Sequence, residues 1–395
     1  MSIRVSNRAN AVKPSPTLAV TARAAELRAA GQDIVGLGAG EPDFDTPAHI
    51  KQAAIDAINA GHTKYTAVDG IAPLKQAIIA KFQRDNGLSY KPNQILVSCG
   101  GKQSFYNLAQ AMLNPGDEVI IPAPYWVSYP DMVLLADAVP VIVSAGQDRG
   151  FKLGADQLEA AITPRTRLVV INSPSNPTGV AYTRADLEAL GEVLRRHPDV
   201  VIATDDMYEH ILWAAEPFCN IVMACPDLYE RTIVLNGVSK AYSMTGWRIG
   251  YAGGPVELMK AMEKIQSQST SNPTSISQYA SVAALNGPQD CVADMLKAFK
   301  SRHDNVVARL NRMPGVECLP ADGAFYLFPN LEGVIARTEG VDDDLQLSER
   351  LIGEAGVALV PGSAFGAPGH VRISIATSQA NLDKALDRLE RAFAS

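Results

Sequence analysis

Short apolar runs recur along this chain, and they restrict its fold more than any other feature. They are Ile34–Leu37, Ile95–Ser98, Glu118–Ile121, Val139–Val143, Leu168–Ile171, Val200–Thr204, Thr232–Leu235 and Ile249–Gly254. Each is of strand length and too short for a helix. Most are apolar throughout, as strands covered on both faces are. Between them lie helical patterns, such as Leu18–Ala30 before Gly31, the helix capped by Thr46 and Pro47 that runs to Gly61, Ile71–Asn86 and Gln103–Leu113. This alternation predicts an α/β protein with a largely parallel sheet. A long helix opening at Gly287-Pro288 and reaching Asn311 reads as a bridge to a second, smaller α/β region over 315–395, with its GAFYLF strand, VPGSAFG loop and HVRIS strand. Residues 1–13 read as an extended arm, residues 14–47 with 290–395 as a small domain, and 48–289 as a large one. A length of 395 residues accommodates roughly two or three domains.

The chemistry concentrates in Asn236–Gly254, NGVSKAYSMTGWRIGYAGG. Lys240 sits just past one apolar run, and Arg248 follows eight residues later, just before another. Burial between two strands disfavours an ammonium, and the neutral amine is the form that condenses with an aldehyde. Arg248 offers a permanent cation to an anion. The pair suits pyridoxal 5′-phosphate, which carries an aldehyde and a phosphate. Further candidates stand where strands end, because sites in such sheets gather outside the carboxyl ends of strands. Asn176 follows the 168–171 run, and Asp205 and Tyr208 follow the 200–204 run. Gly100-Gly101 lies between a strand and a helix N-terminus, where backbone N–H groups can face an anion. The glycines of Gly36–Gly40 lack the helix that a dinucleotide site requires immediately afterwards.

Five stretches together carry a resemblance: SKAYSMTGWRIGY, NPTG at 176–179, DDMYEH at 205–210, AGEPDFDTP at 39–47 and HVRIS around Arg372. The chain resembles the class I aminotransferases, and most closely the bacterial aspartate-aminotransferase-like subgroup of fold type I pyridoxal-phosphate enzymes. The resemblance implies a large domain with a mainly parallel seven-stranded sheet covered by helices, plus a smaller α/β domain. It implies that Lys240 is the imine-forming lysine, that Asp205 pairs with the ring nitrogen, and that Tyr208 and Asn176 bond the ring oxygen. It gives Trp126 as the ring-stacking aromatic, and Gly100, Gly101, Lys102, Ser239 and Arg248 as neighbours of the phosphate. Tyr65 is expected to reach the phosphate of a partner subunit, making a homodimer with shared sites. On the substrate side it implies Gly40, Lys102, Trp126, Asn176 and Arg372, with Arg372 on the α-carboxylate; Lys102, helped by the hydroxyls of Ser15 and Thr17, is the candidate for a distal carboxylate. One departure stands out: the family's serine three residues before the lysine is here Gly237.

The implied activity is an aspartate transaminase using 2-oxoglutarate, with ping-pong kinetics. Aromatic or prephenate aminotransfer, a pyridoxal-phosphate C–S β-lyase, and the sensor domain of a bacterial regulator are the competing readings. A net charge of −7 argues against a nucleic-acid partner. There is no apolar run long enough to span a membrane. Five scattered cysteines without a C-x-x-C motif read as reduced residues of a cytoplasmic protein, and the histidines show no metal-ligand spacing.

Overall fold

The computed structural model describes residues 3–394. A short β1 (Val35–Gly36) precedes the strands of the large sheet. These are β2 (Ile95–Ser98), β3 (Glu118–Ala123), β4 (Val139–Ser144), β5 (Thr166–Asn172), β6 (Val201–Asp205), β7 (Thr232–Gly237) and β8 (Gly250–Gly253). Their order across the sheet is β2-β8-β7-β6-β5-β3-β4. From β7 to β4 all neighbours are parallel, and β8 runs against both β7 and β2. The expected parallel α/β sheet is therefore present, with one reversed strand.

Two expectations need correcting at the sheet and its flanks. β4 is not covered on both faces: it pairs with β3 alone at the sheet edge, and Val139 and Ile142 are 45% and 43% exposed. Thr46 does not cap the next helix, which runs Ala48–Asn59 behind Pro47. Its hydroxyl instead donates to Ser243 O at 2.7 Å and accepts from Trp247 Nε1 at 2.9 Å. Thr46 thus ties the 39–47 segment to the loop after Lys240.

The arm also differs from the extended form expected. Asn7–Ala11 is a short helix, because the Ser6 hydroxyl accepts from Ala9 N and satisfies a free donor of its first turn. Arg8 then holds the arm to Asp137 through a surface ion pair. The next helix, Pro16–Ala29, starts with proline at its first position and ends before Gly31 at φ +85°.

In the smaller region lie β9 (Tyr326–Leu327), β10 (Val357–Ala358), β11 (Val360–Pro361) and β12 (Val371–Ser374). β1 joins it by pairing parallel to β10, while β11, β12 and β9 form an antiparallel sheet. Helices Asp290–Leu310 and Gln379–Ala394 bury Phe299 and Leu386 against Phe325 and Leu359 in one core cluster. Burying each of these side chains is worth roughly 1.5–3 kcal/mol. Tyr208 and Ile211, from the turn after β6, belong to the same cluster, so that turn is packed from both sides. The NPTG loop meets this region too: Gly179 O accepts from Asp322 N at 3.0 Å and Gly323 N at 2.9 Å. Among the described residues no helix is long and apolar enough to cross a membrane.

Candidate active site

The reversed direction of β8 gathers three strand ends at one point. Gly250 opens β8 and pairs with Ser98, the last residue of β2, and with Gly237, the last residue of β7. The loop holding Lys240 and Arg248 therefore leaves and re-enters the sheet at the same edge as Cys99–Gly101. Gly100 has φ +89°, and a side chain there would collide with the Arg248 guanidinium. Arg248 is itself left-handed at φ +56° and donates to Thr245 O at 2.8 Å and Cys99 O at 3.3 Å. The helix Gly101–Met112 begins at this point, so its free N–H groups and the guanidinium face the same space.

That space is a cavity of about 310 Å³ at the carboxyl ends of the strands. Lys240, Asp205, Tyr208, Asn176, Trp126, Arg248, Arg372, Lys102, Gly101, Ser239, Gly40, Ser15 and Thr17 all line it. Gly100 adjoins it as the cap of the Gly101 helix. Tyr65 is not part of this cavity; it lies on the 63–70 loop with 91% of its surface exposed.

Lys240 Nζ donates to Gly40 O at 2.6 Å and lies 6.0 Å from the centres of the Tyr208 and Phe325 rings. Burial, then the cations Arg372 and Arg248, lower its ammonium to about 8. Asp205 faces the cavity from the end of β6. Burial raises its carboxyl, against donors from Tyr129 Oη at 2.5 Å and Met207 N at 3.2 Å. Tyr208 is 4% exposed and shares a hydrogen bond of 2.9 Å with the Tyr326 hydroxyl. The turn carrying both is held from behind. Buried Lys81 pairs with Glu209, which also accepts from Asn86 at 2.8 Å and Asn236 at 2.6 Å.

Arg372, on β12, is 2% exposed. It donates to Asn176 Oδ1 at 2.9 Å and Gly38 O at 2.8 Å, and stacks over Tyr326 with 4.5 Å to the ring centre. Its buried Nε–H has no acceptor, and burial pulls the guanidinium below its ordinary value. A desolvated cation held by neutral acceptors calls for an anion. Lys102 Nζ sits 5.2 Å over the Trp126 ring at the cavity mouth, lowered by burial and then by Arg248. A serine at Gly237 would be tight: its Cβ would lie 3.0 Å from Ile249 O, 3.1 Å from Gly250 Cα and 3.1 Å from Met207 Cε, so these neighbours would have to give by a few tenths of an ångström.

Sequence reasoning missed Tyr326 and Met207, which line the cavity, and Tyr129, which supports Asp205 from outside it. Tyr326 lies in an apolar strand and Tyr129 just after the run Tyr125-Trp126-Val127, so neither stands apart as a site residue.

Residues 32–389 match the family model described as aminotransferase class I and II. The chain is 58% identical to the aspartate/prephenate aminotransferase of Nitrosomonas europaea, over 98% of this chain and 99% of that one. Its structure superimposes on the aspartate aminotransferase of Rhizobium meliloti with a TM-score of 0.96 at 51% identity, covering 100% and 99% of the two chains. The aspartate aminotransferase of Thermus thermophilus with maleate gives 0.93 at 45% identity, covering 99% and 100%.

Proposed function

The chain belongs to the class I and II aminotransferases, and from that membership we propose that it moves an amino group between an acidic L-amino acid, aspartate or glutamate, and a 2-oxo acid, with pyridoxal 5′-phosphate as cofactor. The observation that carries this reading is Lys240, an amine lowered to about 8 in a cavity that also holds two arginines and a carboxylate. Pyridoxal phosphate, when bound, supplies an aldehyde that condenses with amines and a ring that draws electrons from the substrate Cα. The residues fit that group. A Cβ would fill the cradle at Gly100, and Asp205 faces the cavity with its carboxyl raised by burial and no arginine or lysine paired to it. An anion site and a carboxylate in need of a cation match a phosphate and a pyridinium N–H.

In this reading Gly100, Gly101, Ser239 and Arg248 hold the phosphate, Asp205 holds the ring nitrogen, and Trp126 covers the ring face. Tyr208 and Asn176 bond the ring oxygen. Arg372 takes the substrate α-carboxylate, which would give its fork the anion it lacks. Gly40 keeps the substrate side free of a side chain; a Cβ there would also press on Tyr326 Oη at 3.1 Å. Lys240, as a neutral amine, would accept the proton from the substrate Cα and, once charged, would be the acid that gives it back, serving as base and then acid. The donor leaves as a 2-oxo acid before a second 2-oxo acid, 2-oxoglutarate, enters, so the kinetics are ping-pong.

Lys102, with Ser15 and Thr17, meets a distal carboxylate. The Thermus thermophilus relative was solved with maleate, a dicarboxylate, which supports an acidic substrate. The Nitrosomonas europaea relative is named for prephenate as well, and prephenate also carries a second carboxylate, so it is the second acceptor we propose. The exposure of Tyr65, away from its own cavity, supports a homodimer in which it reaches the partner's phosphate. Five free cysteines fit a reducing, cytoplasmic setting.

The test is a panel of amino donors and oxo-acid acceptors, followed by cofactor absorbance in single half-reactions. Acidic donors with 2-oxoglutarate or prephenate should turn over fastest. Pyruvate release from a cysteine conjugate without any acceptor would replace this reading with a β-lyase.

A further inference from the structure

Tyr129 belongs to none of the motifs that mark the site. It stands in the first turn of helix Ser128–Leu134 and is 1% exposed. Its ring is fixed by Phe105, with centroids 4.8 Å apart, and by Trp126, edge-on at 5.1 Å and 87°. Its hydroxyl has one partner among the described residues, Asp205 Oδ2 at 2.5 Å. Asp205 has otherwise only the Met207 N–H, at 3.2 Å to Oδ1. The charged and titratable groups facing it are Lys240, across the cavity, Tyr208 on the same turn, and Asp206 beside it in the chain. Burial, then Glu209, push the neighbouring Asp206 carboxyl up to about 7, and neutral or ionised it is no counter-ion for Asp205. Burial therefore favours a neutral Asp205, and the short hydrogen bond from Tyr129 is the foremost of the contacts that oppose it, ahead of the Met207 N–H and Lys240. A donor to the charged form favours that form.

We propose that Tyr129 is a positioning residue: its hydroxyl keeps the Asp205 carboxylate ionised and turned into the cavity. This rests on the reading of Asp205 as the partner of the ring nitrogen, but the hydrogen bond acts on Asp205 with or without cofactor. A tyrosine serving packing alone would leave Asp205's proton affinity untouched when its oxygen is removed.

Tyr129→Phe keeps both ring contacts and deletes only the donor. In the cofactor-free protein, Asp205 protonation can be followed by its carboxyl infrared band, assigned by its disappearance in Asp205→Asn. The midpoint should rise by roughly one pH unit in Tyr129→Phe. An unchanged midpoint, in a variant whose melting and Trp126 fluorescence show it folded, overturns the proposal. In the loaded protein, the nitrogen-15 shift of a labelled cofactor ring should move toward the unprotonated form. A raised midpoint with an unmoved ring shift supports the role of Tyr129 and removes Asp205 from the ring nitrogen, so the two readings fail separately.

Discussion

Replacing Lys102 with alanine asks which side chain the cavity accommodates. Lys102 is the second residue of its helix and stands over Trp126, 5.2 Å from the ring centre. Among the described residues it has no ion-pair partner; Arg248 repels it, and Asp131 is the one carboxylate that acts on it. An ammonium so placed gains from a substrate carboxylate. A charge-assisted hydrogen bond is worth roughly 1.5–3 kcal/mol, or about ten- to a hundredfold in kcat/KM. The contact with Trp126 is smaller, roughly 0.5–1 kcal/mol, or about two- to fivefold. Its loss would fall on every donor alike, through a less firmly held Trp126. The ratio between donors therefore separates the two effects. Lys102→Ala should lose about ten- to a hundredfold for aspartate and glutamate and no more than about fivefold for alanine and phenylalanine. Stopped-flow absorbance of single half-reactions measures each donor without interference from the acceptor. Equal losses on all donors would refute the distal-carboxylate role and assign Lys102 to the phosphate.

Lys240→Ala should abolish borohydride-reducible attachment of the cofactor, and peptide mapping that found reduced cofactor on another lysine would overturn the site. Lys240 also leaves a mark on cofactor-free stability. Its folded value of about 8 lies below the unfolded value of about 10.5. The penalty for charging it is thus complete below about pH 8 and gone above about 10.5. Allowing for its partial exposure, urea unfolding should show Lys240→Met gaining on the order of 2 kcal/mol relative to wild type between pH 10.5 and 8, and a pH-independent difference would contradict the burial argument. Arg372→Lys should raise KM for every amino acid, by roughly ten- to a hundredfold, because a point charge cannot replace the fork; an unchanged KM would free the α-carboxylate from Arg372. For the shared site, a heterodimer of Lys240→Ala with Tyr65→Ala subunits has one intact site, and one of Lys240→Ala with Arg372→Ala has none. Recovery in the second mixture but not the first would rule out the crossed arrangement.

Much of this was legible because it is periodic or chemically unusual. Runs such as Leu168–Ile171 lie in strands because continuous apolar stretches have nowhere else to go in an α/β layer. Lys240 stood out because it follows a buried strand and precedes Arg248 by eight residues, and Arg372 through the HVRIS segment that carries the family resemblance. Other features depend on contacts distant in sequence. Thr46 has every local mark of a helix cap, yet Ser243 and Trp247, about two hundred residues away, claim its hydroxyl. The reversal of β8 is invisible locally, since Gly250–Gly253 would be as apolar in either direction. Tyr129 and Tyr326 read as core because core is what they are; their hydroxyls acquire meaning only from Asp205 and Tyr208. Gly237 was recognised as a departure, but the Met207 methyl that crowds it comes from the turn after β6.

The meeting of three strand ends at Gly250 bears on how such an enzyme can be altered. A side chain at Gly250 would strike the backbone of Gly100 and Gly101. The same residue pairs with the strand that delivers Lys240. The anion cradle and the reactive amine are therefore mechanically one part. Loop grafts or insertions between 238 and 249 cannot retune one without shifting the other. The walls proposed to meet the substrate, Ser15 and Thr17 at the start of the Pro16–Ala29 helix and Arg372 on β12, hang from separate elements and share no such joint. New specificities are thus reachable by changing walls while the chemistry stays locked, a division of labour built into the direction of a single four-residue strand.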